Sequence, residues 1–475
     1  MKKKIGLKSL VFMNVSALYG IRWIVKSTSE SFGLGLGAIP MWFIFAIIYF
    51  IPGSLICAEL AAMYKDREGG LYDWVKEAYG EKYGFVVCWL NWIAKVFWYS
   101  SFLTFLAINI SYTIGMPWLA NNKYFTLIFS LVVFWILSII STKGINFVQV
   151  FTNTGALGST IPTLVIIFLG IIGVLIMGKS APASVYSIHT LTPKMNADSF
   201  VAISSIMFGF AGAETMAPFI TQIDEPEKNF PKAILISALV VAFLYILGTV
   251  SITLLLNPSE ITASKGLLDA IAAGSKMMGI GSYLLKIIAA GISFSIVGCI
   301  ILYISSPIKM LFGAVDGVFS ENLTKTNEYD IPSNAVYAQA VLVTAILVLT
   351  NLMPSVDAVY NVLLTMTALA SLFPYVLLYA SYIKLKKEKS EVYRPYKMVK
   401  NDVLAIKIAQ FLLVITIAGL LLTASPVMKS LSANIVYEIE MVGGSILIIL
   451  TALILWRKKE KREEKLNDYS KEKCV

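Results

Sequence analysis

The sequence predicts an all-α membrane protein of twelve transmembrane helices, arranged as a five-plus-five inverted repeat in which helices 1 and 6 are broken. Three observations predict it. Of 475 residues, 57% are hydrophobic and only 14% charged, whereas a soluble chain carries about 25% charged residues, so the solvent around much of this surface is lipid. Apolar stretches of roughly 20 residues, the length that crosses a hydrocarbon core, recur twelve times. Two of them, five helices apart, are interrupted by glycine and other small residues, and a helix is broken at membrane depth only where the break lines a cavity.

In chain order the spans are expected near 9–29, 39–62, 83–114, 125–141, 154–177, 198–221, 233–256, 283–311, 334–352, 358–385, 403–424 and 437–456. Span 1 follows MKKKIGLK with no small-residue cleavage site after a short apolar core, so it reads as a retained helix rather than a removed signal. Its interruption falls at SALYG (16–20), and that of span 6 at GFAGAE (209–214). The pieces 65–82, 143–153 and 259–278 are amphipathic and too polar to span. The connection 384–400, KLKKEKSEVYRPYKMVK, is basic and is expected on anionic headgroups. The chain thus reads as a single transmembrane domain, 1–456, with repeats at about 9–177 and 198–385 and two extra helices over 403–456. The remainder, 457–475, is a charged cytoplasmic tail expected as a solvated helix extension or as disordered chain.

The net charge of +10 is topological. Of 39 Lys and Arg, 29 lie at the N-terminus, in the tail or in the connections after even-numbered spans; seven lie on the opposite side. Cytoplasmic connections hold the excess of cations, so both termini are expected in the cytoplasm of a plasma-membrane protein. No interleaving of basic and aromatic residues outside the spans suggests nucleic acid. The four cysteines have no metal or redox spacing and His189 is the only histidine, so neither a metal nor a cofactor is expected. Without a clustered constellation of His, Asp or Ser, or a phosphate-binding loop, neither an enzyme nor an ATP-driven pump is indicated.

Three segments carry a resemblance to a known family. ICAELAAMYKDREGGLYDWVKEAYG (56–80), FGFAGAETMAPFITQIDEPEKNFPKAI (208–234) and RPYK (394–397) resemble, in this order, span 2 with its following loop, span 6, and the motif before span 11 of the amino acid, polyamine and organocation (APC) transporters. FIPGSLICAEL, EGGLYDWV and STKGIN (141–146) look most like the glutamate:GABA antiporter branch. The resemblance implies a LeuT-like fold and an amino acid transporter. The Gly-Ser-Gly usual in the span 1 break of that family stands here as Ala17, Leu18, Tyr19, followed by Gly20.

A zwitterionic substrate in mid-membrane needs its carboxylate and ammonium satisfied without bulk water, and broken helices offer free N–H groups to the first and exposed carbonyls to the second. The expected contacts are Ser16, Ala17, Leu18, Tyr19 and Gly20 at one break and Phe208, Gly209, Phe210, Ala211 and Gly212 at the other. By resemblance Phe208 matches an aromatic gate over the substrate, and Glu214 matches a carboxylate that links occupancy to gating; a packed Phe and a structurally paired Glu are the alternatives. Charges inside spans are functional candidates by default. Arg22 suits a substrate side-chain carboxylate, since a guanidinium binds it bidentately, or else pairs with Glu30. Lys95 is a candidate proton carrier or fixed cation, or else a bridge to Glu59 or Glu214. Glu59 reads as structural. Ser293 and Ser295, two apart, do not share a helix face, which disfavours sodium coupling. The expected function is amino acid exchange with an acidic or glutamate/GABA-like substrate. Proton-coupled symport of neutral or other amino acids and a non-transporting receptor are the other readings. The expected partners are the amino acid, protons and the lipid bilayer, with the chain a monomer or homodimer.

Overall fold

The structure is a computed structural model describing residues 4–18, 31–67, 69–143, 161–194, 197–262, 265–314, 317–329, 331–424 and 442–472. Its helices, in chain order, are α1 (Leu7–Leu18), α2 (Phe32–Met63), α3 (Leu71–Tyr79), α4 (Glu81–Thr113), α5 (Lys123–Ser141), α6 (Ile161–Ile176), α7 (Ala197–Gly209), α8 (Pro226–Leu255), α9 (Gly266–Met277), α10 (Ser282–Ala314), α11 (Ser333–Thr350), α12 (Val356–Glu388), α13 (Asp402–Ala424) and α14 (Gly444–Glu472). Among the described residues, eight of these are long and apolar enough to cross a membrane: α2, α4, α5, α8, α10, α11, α12 and α13. α1, α6, α7 and α14 occupy the positions of expected spans 1, 5, 6 and 12. The chain is an integral membrane protein, nearly all helical over these residues.

Departures from regular geometry follow the sequence. α2 carries a π-type turn over Ala46–Phe50, directly before Pro52, whose missing N–H cannot continue the α ladder there. Pro307 and Pro374 lie inside α10 and α12, Pro374 directly before Tyr375. α4 is buried along most of its length and packs on α10 and α12, whereas α5, α11 and α13 show large apolar residues to lipid.

The start of the chain is tied to the segment after the span 6 interruption. Ile5 N–H donates to Gln222 O at 2.8 Å and Asp224 N–H to Ile5 O at 3.0 Å. From there α1 runs along α8, with Ser237 Oγ donating to Val11 O at 3.3 Å, so the end of α1 is delivered beside the end of α7.

The amphipathic pieces 65–82 and 259–278 form α3 and α9, while 143–153 falls almost wholly outside the described residues. The basic connection 384–400 is corrected in part: Lys386 and Arg394 are only 2% and 6% exposed and point into the protein, because a buried carboxylate waits for them there. The charged tail continues α14 as helix to Glu472.

Candidate functional site

The helix of expected span 6 stops at Gly209, and regular α structure resumes only at Pro226. Between them lie an irregular stretch and a single 3-10 segment, Ala217–Gln222. Gly212 has φ +118°, a conformation that side-chain-bearing residues rarely adopt, so glycine here fixes where the ladder fails. Ala211 N–H returns to Phe208 O and Thr215 N–H to Gly212 O, both at 3.0 Å. Among the described residues no hydrogen bond reaches the carbonyls of Gly209, Phe210 and Ala211. These three adjacent acceptors thus lack a partner among the described residues, at a place where an unmade bond is costly.

One side chain holds the interruption in place. The Tyr375 hydroxyl, on α12, accepts from Gly212 N–H and donates to Glu214 Oε2. Sequence reasoning missed Tyr375, yet a signal was present: Tyr375, Tyr379 and Tyr382 are spaced i, i+4, i+7, which places three phenols on one helix face after a proline. A Cβ on Gly53 of α2 would come within 2.7 Å of the Tyr379 hydroxyl, so α2 and α12 approach closely beside the break. Further along, Glu59 of α2, fully buried, receives four hydrogen bonds: from Tyr382 Oη at 2.7 Å, Lys386 Nζ at 2.6 Å, Arg394 Nη1 at 3.0 Å and Met398 N–H at 2.9 Å. Lys386 also lies 2.9 Å from Asp402. The buried carboxylate of Glu59 is thus paired by two cations, the condition under which ions survive burial, and the pairing agrees with the reading of Glu59 as structural.

The rings around the break decide what its residues can offer. Phe210 stacks on Phe50 at 4.5 Å and stands edge-on to Trp42 and Tyr245 at 5.1 and 5.7 Å. Trp42 stacks on Tyr245 at 4.5 Å and donates to Ser31 Oγ at 3.2 Å. The Phe210 ring is thereby committed to α2 and α8, leaving its carbonyl as the group available to a ligand. Phe208 is buried in the last turn of α7.

At the end of α1, Ser16 and Ala17 fall in its last turn, and Leu18 ends it with Cδ2 3.3 Å from where a Cβ on Gly212 would stand. The structure therefore brings the end of α1 onto the interruption at Gly212. Tyr19, Gly20 and Arg22 lie outside the described residues, as do Lys26 and Glu30. Lys95 sits on α4 with its ammonium 5.2 Å from the centre of the Tyr303 ring of α10, a cation–π contact. Among the described residues no group of three His, Cys, Asp or Glu is placed to hold a metal ion.

Residues 5–447 match the family model described as amino acid permease. The chain is 30% identical over 470 residues to an uncharacterized transporter of Legionella pneumophila, covering 98% of both chains. It is 24% identical over 461 residues to a probable agmatine/putrescine antiporter of Lactococcus lactis, covering 96% of each. Over 360 residues it is also 24% identical to a glutamate/gamma-aminobutyrate antiporter of Lactococcus lactis, covering 74% of this chain and 71% of that protein.

Proposed function

Because the chain belongs to the amino acid permease family, a family of membrane transporters and not of enzymes, we propose that it is a secondary amino acid exchanger that binds its substrate between the end of α1 and the interruption after Gly209. The observation that carries this is the loss of the α7 hydrogen-bond ladder directly against Leu18, with three carbonyls at the meeting point that have no partner among the described residues. The carbonyls of Gly209, Phe210 and Ala211 accept from the substrate ammonium. The backbone N–H groups that follow Leu18, at Tyr19, Gly20 and beyond, take the carboxylate, where the positive end of the dipole of the second half of span 1 assists. Phe208 closes over the bound molecule, and Glu214 with Tyr375 couples occupancy to the shape of the break. Five helices and their inverted copies then rock around this point, with both termini on the cytoplasmic side of the plasma membrane.

Two relatives at the same 24% identity are named for an amine pair and for a glutamate pair, so identity leaves the charge of the cargo to the residues of the site. Arg22, two residues past SALYG in the sequence, favours an acidic or glutamate/GABA-like substrate, because its planar fork matches a carboxylate. The test is a radiolabelled panel of glutamate, GABA, neutral amino acids, agmatine and putrescine in proteoliposomes with and without preloaded counter-substrate. Uptake of an acidic amino acid that requires preloading is expected; preload-independent uptake overturns exchange, and uptake of diamines alone overturns the acidic cargo. Arg22→Ala should abolish acidic uptake and spare neutral uptake; equal loss of both makes Arg22 structural.

A proton symporter is the second reading, favoured by a titratable carboxylate, Glu214, bonded at the break itself and by Lys95 in a membrane helix. Under it Lys95→Ala flattens the pH dependence of uptake, and an unchanged profile removes Lys95 from proton coupling.

A further inference from the structure

The last helix separates its charges by face. α14 is continuous from the membrane into the tail, and its register against α4 is set at two heights: Trp89 Nε1 donates to Ile448 O at 3.1 Å, and Lys459 Nζ lies 3.4 Å from Glu81, the first residue of α4. Around Lys459 the inward face is closed. Lys459 is 5% exposed, lies over the Trp456 ring at 4.6 Å and is 3.7 Å from Glu463, while Trp456 packs on Phe85 at 5.8 Å. Two of the three nearby acids are occupied there, Glu463 by Lys459 and Glu460 by the Trp456 indole N–H at 2.7 Å.

Arg457, Lys458, Lys461 and Arg462 are all exposed, and among the described residues none of them pairs with a carboxylate. At 100° per residue they fill an arc of about 140° centred opposite Trp456, Lys459 and Glu463, and they rise through only about 8 Å of helix. Since Lys459 is level with the start of α4, this cationic stripe stands where the helices leave the hydrocarbon, turned away from the protein body. Clustered cations at that height meet the negative potential of an anionic leaflet, which decays within a Debye length.

We propose that this face of α14 is a docking surface for anionic phospholipid headgroups, with Arg457, Lys458, Lys461 and Arg462 as its contacts. The Lys459–Glu81 pair positions the stripe without touching the lipid. A membrane surface is the occupant because the stripe lies at headgroup level on a helix whose lower turns are embedded. This role stands apart from the substrate reading, and either can fail without the other.

Native mass spectrometry of the full-length protein in detergent, titrated with phosphatidylglycerol or phosphatidylcholine, tests it. Wild type is expected to retain several-fold more phosphatidylglycerol. The combined variant Arg457→Gln, Lys458→Gln, Lys461→Gln, Arg462→Gln should bring that excess down to near parity, while a charge-retaining Arg/Lys exchange at the same four positions keeps it. Equal binding of the two lipids by wild type, or an undiminished excess in the glutamine variant with the charge-retaining variant folded, overturns the proposal. So does displacement of the lipid by an equimolar soluble glycerophosphate, which would make the ligand a free phosphate ester.

Discussion

Tyr375 joins two groups that the backbone alone leaves unsatisfied: the N–H of Gly212 and the carboxylate of Glu214. Tyr375→Phe keeps the ring and removes both bonds, so the helix bundle should persist while the break loosens. The expected outcome is a saturated exchange rate at least tenfold lower with the detergent melting temperature only slightly reduced, since one unmade buried bond costs about 1–3 kcal/mol; a rate equal to wild type would separate Tyr375 from transport. Glu59 tests the opposite case. Glu59→Ala strands Arg394 and leaves Lys386 with Asp402 as its remaining acid, and stability should fall by about 3–5 kcal/mol, read as chemical denaturation of the purified protein. The sequence showed that Glu59 and Glu214 were unusual, because charges in apolar runs stand out. It hid their partners, which lie 161 to 339 positions away along the chain and depend on how α12 is rotated.

Elements were legible where hydrophobicity ends abruptly. The bounds of α4, α5 and α11 follow their apolar runs closely, while α8 begins seven residues before its run, at Pro226, and the run through Phe210–Ile220 is apolar enough to read as continuous helix. Only Gly212 and its small neighbours marked the interruption, and the 3-10 and π turns of α2 left no trace in hydropathy. Gly212→Ala adds a Cβ where φ is +118° and Leu18 is 3.3 Å away; substrate affinity should weaken roughly tenfold with folding retained, measured by binding to purified protein, because the strain acts on the exposed carbonyls. α3 offers an acid test of docking. Glu77 bonds Lys389, just past the end of α12, and Arg67 at 2.8 Å, and these two cations hold its carboxyl below its ordinary value of 4.5. A depressed value stabilises the folded protein above pH 4.5 and loses that contribution as pH falls through the folded value. Wild type should therefore melt above Glu77→Gln at pH 7, and the gap should close toward pH 3; a constant gap would make the contact one of packing alone.

Across the whole molecule one face of α12 runs from the break to the far end of α2. Tyr375 bonds Gly212 and Glu214, Tyr379 lies against Gly53, and Tyr382 and Lys386 bond Glu59. Any rearrangement at Gly212 is thus in mechanical contact with the end of the bundle some three turns of helix away. The sequence placed the helical, membrane-embedded character and the interruption at Gly212 within reach, because each depends on local composition. It left the α12 face, the inward turn of Lys386 and Arg394 and the two-sided charge of α14 unread, since these depend on which helices are neighbours.

The pairing of Ile5 with Gln222 and Asp224 ties the residues before α1 to the stretch that follows Gly212. A fluorophore or spin label placed on Lys4 would ride with the stretch that follows Gly212 and report its displacement during turnover. A bulky fusion protein attached there would add drag to the same stretch, so purification handles belong at the opposite terminus.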